Sequence, residues 1–265
     1  MRLFDTPIDR VMAITRTTSL LNVRGAPSVA GDPIGQIDAL KLVEVRERVQ
    51  GDSVSGNDEW YRIAEHAFCW SGGCGELEFL QDGKFRTHPE VRRREDGTIR
   101  PLSEEDKIRI FGAIKYTSKD NGAVEITNDF TRNLVRIHPP FFPLPPYDAK
   151  SMFVHVKARA PFQRVFYLLM KHDVARYVKT YDGAFTARHM AWTPSRPLSS
   201  HSWGIAVDLN ARDNGYGKEP AKADEDGTLL PVLPYFQAEG FAWGGHFKPA
   251  KYYDGMHFEL ARLDV

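Results

Sequence analysis

The stretch Ser199-Ser-His-Ser-Trp-Gly-Ile-Ala-Val-Asp208, with Tyr253-Asp-Gly-Met-His-Phe-Glu259 about fifty residues later, decides how the second half of this chain folds. Ile205, Val207 and Leu209 alternate with Ala206, Asp208 and Asn210, the two-residue period of a half-buried strand whose second face carries Asp208. Met256, Phe258 and Leu260 alternate in the same way with His257 and Glu259, behind the turn dipeptide Asp254-Gly255. Paired antiparallel, with their apolar faces on a helix, the two strands bring Asp208 and His257 onto one face. His201 lies an odd number of residues before Asp208, so a regular strand would aim it the wrong way. The turn at Gly204 must fold it back.

Two histidines and a carboxylate are a common ligand set for catalytic zinc, which takes three protein ligands and leaves the fourth position to water. His201, Asp208 and His257 are therefore the metal candidates, for one zinc ion. Asp254, on the turn, sits where a general base should be: near enough to take a proton from the water without being a ligand.

Outward from these strands, Phe162, Val165, Phe166, Leu169, Met170, Val174 and Val178 fall at the spacing of an amphipathic helix over 160–178. Val124 to Ile126 and Leu134 to Ile137 read as strands. The proline-rich run 139–146 must be an extended connection, because proline has no amide to donate. Ser103-Glu-Glu-Asp is a helix start: the serine accepts from a free amide, and the acidic residues complement the dipole of a short helix to about Phe111. Residues 76–105 are polar and broken by Gly83, Pro89, Gly97 and Pro101, which suits a linker. From Ile14 to Gly75, short β segments separated by turns suggest a small barrel. The expected organisation is a small β-barrel over 1–75, a connection over 76–105 and an α+β catalytic domain over 106–265.

The chain has 265 residues, 42% hydrophobic and 26% charged, an ordinary composition for a globular protein. Lysine plus arginine number 35 and so do aspartate plus glutamate, so no overall field draws it to nucleic acid. Arg92, Arg93 and Arg94 sit beside Glu95 and Asp96 and read as solvated. No run approaches the roughly 20 apolar residues of a membrane span. The start carries charges at Arg2, Asp5, Asp9 and Arg10, so no signal peptide is expected in the given chain. Synthesis in a cytoplasm follows as the expectation, with a monomeric state. Cys69 and Cys74 are too few for a closed structural zinc site and are expected as reduced packing residues.

The motif pair Ser-x-His-x-x-Gly-x-Ala-x-Asp and Asp-x-x-His-Phe-Glu resembles the zinc D-Ala-D-Ala carboxypeptidase and L-alanyl-D-glutamate endopeptidase family, whose core fold, an antiparallel sheet with helices, the hedgehog signalling domain shares. The likeness runs over about residues 110–262 and includes Asn133-Leu-Val135, Gly183-Ala-Phe-Thr-Ala-Arg188 and Gly240-Phe-Ala-Trp-Gly-Gly245. By that resemblance His201, Asp208 and His257 bind zinc, Asp254 is the base, and Arg188 polarises the scissile carbonyl with a permanent, planar charge. It also implies that Ser199 binds substrate, that Trp243 lines the cleft, and that Glu259 orients a ligand from behind. His189 and His246 lie close to motif residues; they and the other histidines are expected to be structural or exposed.

The segment Leu21 to Pro27 resembles the first half of bacterial SH3-type domains, with Trp60 and Tyr61 as their later aromatic pair; the usual closing Gly-Trp-Val is replaced by Phe68-Cys-Trp-Ser-Gly-Gly73. Such modules often hold wall-degrading enzymes on their polymer, although Trp60, Tyr61 and Trp70 would equally serve as a barrel core. Aspartate at 254, followed by His-Phe-Glu, is similar to the endopeptidase branch found in phage endolysins. Cleavage of the L-Ala-D-Glu bond of peptidoglycan stem peptides is therefore the expected activity. The alternatives are D-Ala-D-Ala carboxypeptidase and a wall-binding protein without catalysis.

Overall fold

The structure is a computed structural model that describes residues 13–39, 41–75, 78–79 and 89–265. Its backbone is mixed, with small antiparallel sheets and few helices, and the chain divides into two compact units, Met1–Phe85 and Arg86–Val265.

The first unit holds β1 (Ala13–Arg16), β2 (Leu21–Arg24), β3 (Gly35–Ile37), β4 (Leu42–Val45), β5 (Glu47–Val54), β6 (Asn57–Ala64), β7 (Ala67–Trp70) and β8 (Glu78–Phe79). They form a three-stranded sheet, β4-β1-β8, and a five-stranded sheet, β3-β2-β7-β6-β5, with every pairing antiparallel. Trp60 is 1% exposed and its indole donates to the Asp52 carbonyl at 2.9 Å. The Trp70 indole donates to the Asn57 carbonyl, and Tyr61 and Cys69 are buried. Cys69 and Cys74 are both free thiols.

The second unit holds α1 (Glu104–Phe111), β9 (Tyr116–Ser118), β10 (Val124–Ile126), β11 (Leu134–Ile137), β12 (Met152–His155), α2 (Arg159–Lys171), β13 (Tyr181–Gly183), β14 (Ala206–Leu209), α3 (Ala211–Asn214), α4 (Leu233–Ala238), β15 (Phe241–Trp243) and β16 (His257–Leu260). Ser103 caps α1, accepting from the Asp106 amide at 3.1 Å. Helix α2 is shorter than its apolar period suggests. Asp173 takes a left-handed turn (φ 56), its amide reaches the Met170 carbonyl and that of Val174 reaches Leu169. This is the Schellman closure that ends a helix. Val174 and Val178 pack on the core from beyond it.

Phe162 and Phe166 of α2 meet Phe241 and Phe236, and Phe236 stacks on Phe258 with ring centres 4.1 Å apart. The four-stranded antiparallel sheet β13-β14-β16-β15 therefore lies against helices with Val207 and Phe258 turned into the core. Part of the expected linker, residues 76, 77 and 80–88, lies outside the described residues. Of the remainder, Glu78–Phe79 form β8 of the first unit and 89–105 fall within the second unit. Val91 bridges Arg262, Ile99 is 1% exposed against Ala242 and Ala261, and Arg92 forms an ion pair with Asp106. Leu102 is buried in the main core as well, so a stretch of polar composition is held by a few apolar residues.

Candidate active site

Ser199 begins the local structure that delivers His201. Its hydroxyl accepts from the His201 amide at 3.4 Å, at the head of a single 3-10 turn over Ser200–Trp203. Gly204 closes that turn at φ 67, with its amide on the His201 carbonyl. A side chain here would need the left-handed region and would meet the backbone of β12: an added Cβ falls 2.9 Å from the His155 nitrogen. The reversal brings His201 over β14 and overcomes the odd spacing.

Strands β14 and β16 pair with Asp208 opposite His257 and Val207 opposite Phe258, the register their alternation requires. All residues of both strands are buried, where half-buried strands were expected. The polar face is covered too, and Asp208, His257 and Glu259 are each only 5–7% exposed.

Three ligand atoms converge there. His201 Nε2 lies 3.1 Å from His257 Nδ1 and 3.1 Å from Asp208 Oδ2, and His257 Nδ1 lies 2.9 Å from Asp208 Oδ1. Among the described residues these three side chains could hold a metal ion. Bonds of about 2.0–2.1 Å in a tetrahedron imply donor spacings of about 3.3 Å, so two imidazoles and a carboxylate at these separations suit zinc. His201 Nδ1 donates to the Ala184 carbonyl, which in the neutral ring leaves Nε2 free to coordinate. Behind His257, Glu259 Oε2 is 3.8 Å from Nε2, and Ser200 Oγ donates to the same carboxylate.

Charge accounts for the titration of these groups. Burial opposes the charge on His257, but Asp208 and Glu259 outweigh it and raise the imidazole to about 10. Burial likewise pushes Glu259 up, yet His257, Lys107 and Ser200 together hold it down to about 2. Asp208 is held well below the usual carboxylate range: burial acts against this, and the two histidines overcome it.

Asp254 sits on the turn entering β16, with the His257 amide bonded to its carbonyl at 3.0 Å and its own amide on the Gly244 carbonyl at 3.0 Å. The two backbones touch: a Cβ on Gly244 would lie 2.2 Å from the Asp254 carbonyl oxygen. Asp254 Oδ1 is buried with no hydrogen-bond partner among the described residues. Burial, opposed by His257 and helped by Asp208, pushes this carboxyl up to about 6, a suitable strength for a base near neutrality.

Arg188 feels both carboxylates. Burial lowers its guanidinium pKa, while the charges of Asp208 and Asp254 act to raise it. Its carbonyl accepts from the Ser199 amide at 3.0 Å and the Ser202 hydroxyl at 2.9 Å, and its guanidinium lies 5.3 Å from the Trp192 ring centre.

Ser199 is 5% exposed and sits as a cap rather than on open surface. Trp243 is 6% exposed, with its indole donating to the Gly255 carbonyl at 2.7 Å, so it braces the Asp254 turn. His189 bridges Ser118 and the Arg196 carbonyl, and His246 packs edge-on to Trp243. Neither belongs to the ligand group. Ser200 was not singled out in the sequence, where it fills the unspecified position of Ser-x-His; nor was Tyr181, whose phenol burial and the Asp208 charge raise to about 12.

A family model described as D-alanyl-D-alanine carboxypeptidase matches residues 193–260, the segment that carries all three ligand candidates and Asp254. The match supports a metallopeptidase of a peptidoglycan-acting kind. No curated protein and no solved structure matches the chain.

Proposed function

We propose that this protein is a zinc-dependent peptidoglycan hydrolase that cuts the L-Ala-D-Glu amide of the stem peptide. His201, Asp208 and His257 hold the ion, Asp254 is the base and Arg188 binds the developing oxyanion. The observation that carries the reading is the unpartnered, buried Asp254 Oδ1 beside three converging ligand atoms. An unsatisfied buried carboxylate costs stability, and such groups cluster where chemistry uses them.

A bound zinc ion supplies Lewis acidity: it polarises the scissile carbonyl and brings the pKa of water toward about 7. Asp254 takes one proton from the attacking water and returns it to the amine as the C–N bond breaks. Arg188 offers fixed N–H donors to the oxygen that gains charge in the tetrahedral step. Glu259 and Ser200 keep the His257 ring oriented, and Ser199 keeps the His201 turn closed.

The remainder of the reading is a monomer acting at the wall or periplasm, with 106–265 catalytic. The first unit would act as an SH3-type wall-binding barrel over 1–75. The description of the matching family favours a second reading, cleavage of terminal D-Ala-D-Ala. Mass spectrometry of digested muropeptides separates the two: a new N-terminal glutamate means endopeptidase, and loss of terminal alanine means carboxypeptidase. Asp254→Ala should retain stoichiometric zinc and lose hydrolysis. Full activity in that variant removes Asp254 from the mechanism, and wall binding with no peptide released by the unmodified protein rejects catalysis.

A further inference from the structure

The loop that carries the base has a second side. Gly244 touches Asp254, Phe247 lies three residues on with its ring centre 6.2 Å from that of His257, and the next residue is Lys248. Lys248 faces a recess of about 560 Å³ also lined by Arg93, Arg94, Glu95, Asp96 and Arg100. The five arginine and acidic residues belong to a hairpin over 92–100, closed by Arg94 N–H to the Thr98 carbonyl and Arg100 N–H to the Arg92 carbonyl, both at 2.8 Å. Ile99 fastens it to β15 and to Ala261, so the recess has a rigid wall.

Four cations face two carboxylates there. Asp96 is already engaged, by the Thr98 hydroxyl at 2.6 Å, the Thr98 amide at 3.0 Å and Lys248 at 2.9 Å. Arg94 spends one nitrogen on the Thr98 hydroxyl and the Ile99 carbonyl. Arg100 is exposed at the rim. In a chain with equal numbers of cations and anions, this excess beside the catalytic turn is a local feature. Arginines present flat forks suited to carboxylates.

We infer that the recess formed by Arg93, Arg94, Arg100 and Lys248 is a subsite for the free carboxylates of an acidic peptide substrate, and that it selects charged over amidated stem peptides. The inference rests on the peptidase reading for its substrate, although the anion site stands on its own geometry. Each exposed cation is worth a few-fold at most, so three together should give about a tenfold preference.

The test uses the full chain as Asp254→Asn, which holds peptide without turnover. Binding of L-Ala-γ-D-Glu-L-Lys-D-Ala and of the same peptide amidated at both carboxyls is measured by calorimetry. The acid form should bind about tenfold tighter, and R93A/R100A/K248A should erase the difference while leaving affinity for the amide unchanged. With Asp254 restored, the same triple change should raise KM for the acid peptide about tenfold and leave kcat alone. Persistence of the acid preference in the triple variant overturns the subsite, as does its absence in the parent. Displacement of the peptide by a glycerol-phosphate oligomer at lower concentration also overturns it, in favour of wall phosphate. Binding preference without any cleavage by the unmodified protein would leave the subsite standing and remove the peptidase reading; cleavage without preference would do the reverse.

Discussion

Substituting Gly204 by alanine tests how the ligand turn is built. The residue holds φ 67 and ψ 32, where a Cβ costs about 1–2 kcal/mol. The added carbon would also fall 2.8 Å from Leu134 Cδ2, 2.9 Å from the His155 nitrogen and 3.2 Å from the Val154 carbonyl carbon. The leucine tip can swing aside, but the two backbone atoms belong to β12 and cannot move without disturbing its pairing with β11. Overpacking of this kind costs about 1–3 kcal/mol. A total of about 3 kcal/mol, at roughly 2–4 °C per kcal/mol for a domain of this size, lowers the melting temperature of the second unit by about 10 °C. Scanning calorimetry reads it directly. Gly204→Asn serves as the comparison, because asparagine tolerates the left-handed region but keeps the clash, and should recover only part of the loss. The His201 turn hangs from this residue, so zinc affinity should fall with stability. A Gly204→Ala protein that melts within 2 °C of the parent and binds zinc equally well would refute the proposed role of the turn.

Burial holds His155 neutral and lowers its pKa from 6.5 to about 4, with its ring bonded to the Phe111 carbonyl. The unfolded chain therefore takes the proton first, and about 3 kcal/mol of stability, complete above pH 6.5, is lost as pH falls to 4. Urea titrations of His155→Gln should show a pH dependence flatter by that amount, and an unchanged profile would exclude this histidine. Glu239, 2% exposed, accepts from Arg164 at 2.8 Å, so Glu239→Ala strands a buried guanidinium and should cost about 3–5 kcal/mol in equilibrium unfolding. A cost below 1 kcal/mol would mean that water reaches Arg164. Glu259→Gln should weaken zinc about 10–100-fold in competition with a chromophoric chelator, and unaltered affinity would remove Glu259 from the orientation of His257.

The ligand face was legible because strand alternation is local: once β14 and β16 pair, parity alone puts Asp208 against His257. The device that returns His201 was legible only as a need, since a 3-10 turn with a left-handed glycine follows from contacts to β12 that no local pattern records. The end of α2 shows the same limit in reverse. Val174 and Val178 continue the helical period, yet they reach the core from beyond a Schellman turn at Asp173. The bond from the Trp243 indole to the Gly255 carbonyl joins residues twelve apart, and no local pattern records it. The hairpin over 92–100 looked like a linker because its composition is polar, and the single apolar residue that docks it, Ile99, is invisible to an average.

That β14 and β16 are the two inner strands of their sheet has a kinetic consequence. Asp208 and His257 are fastened to backbone whose opening requires the aromatic stack of Phe236 and Phe258 to part, whereas Asp254 rides on a turn outside the strands. Exchange of a metal held by these residues would thus require the inner strands of the sheet to open.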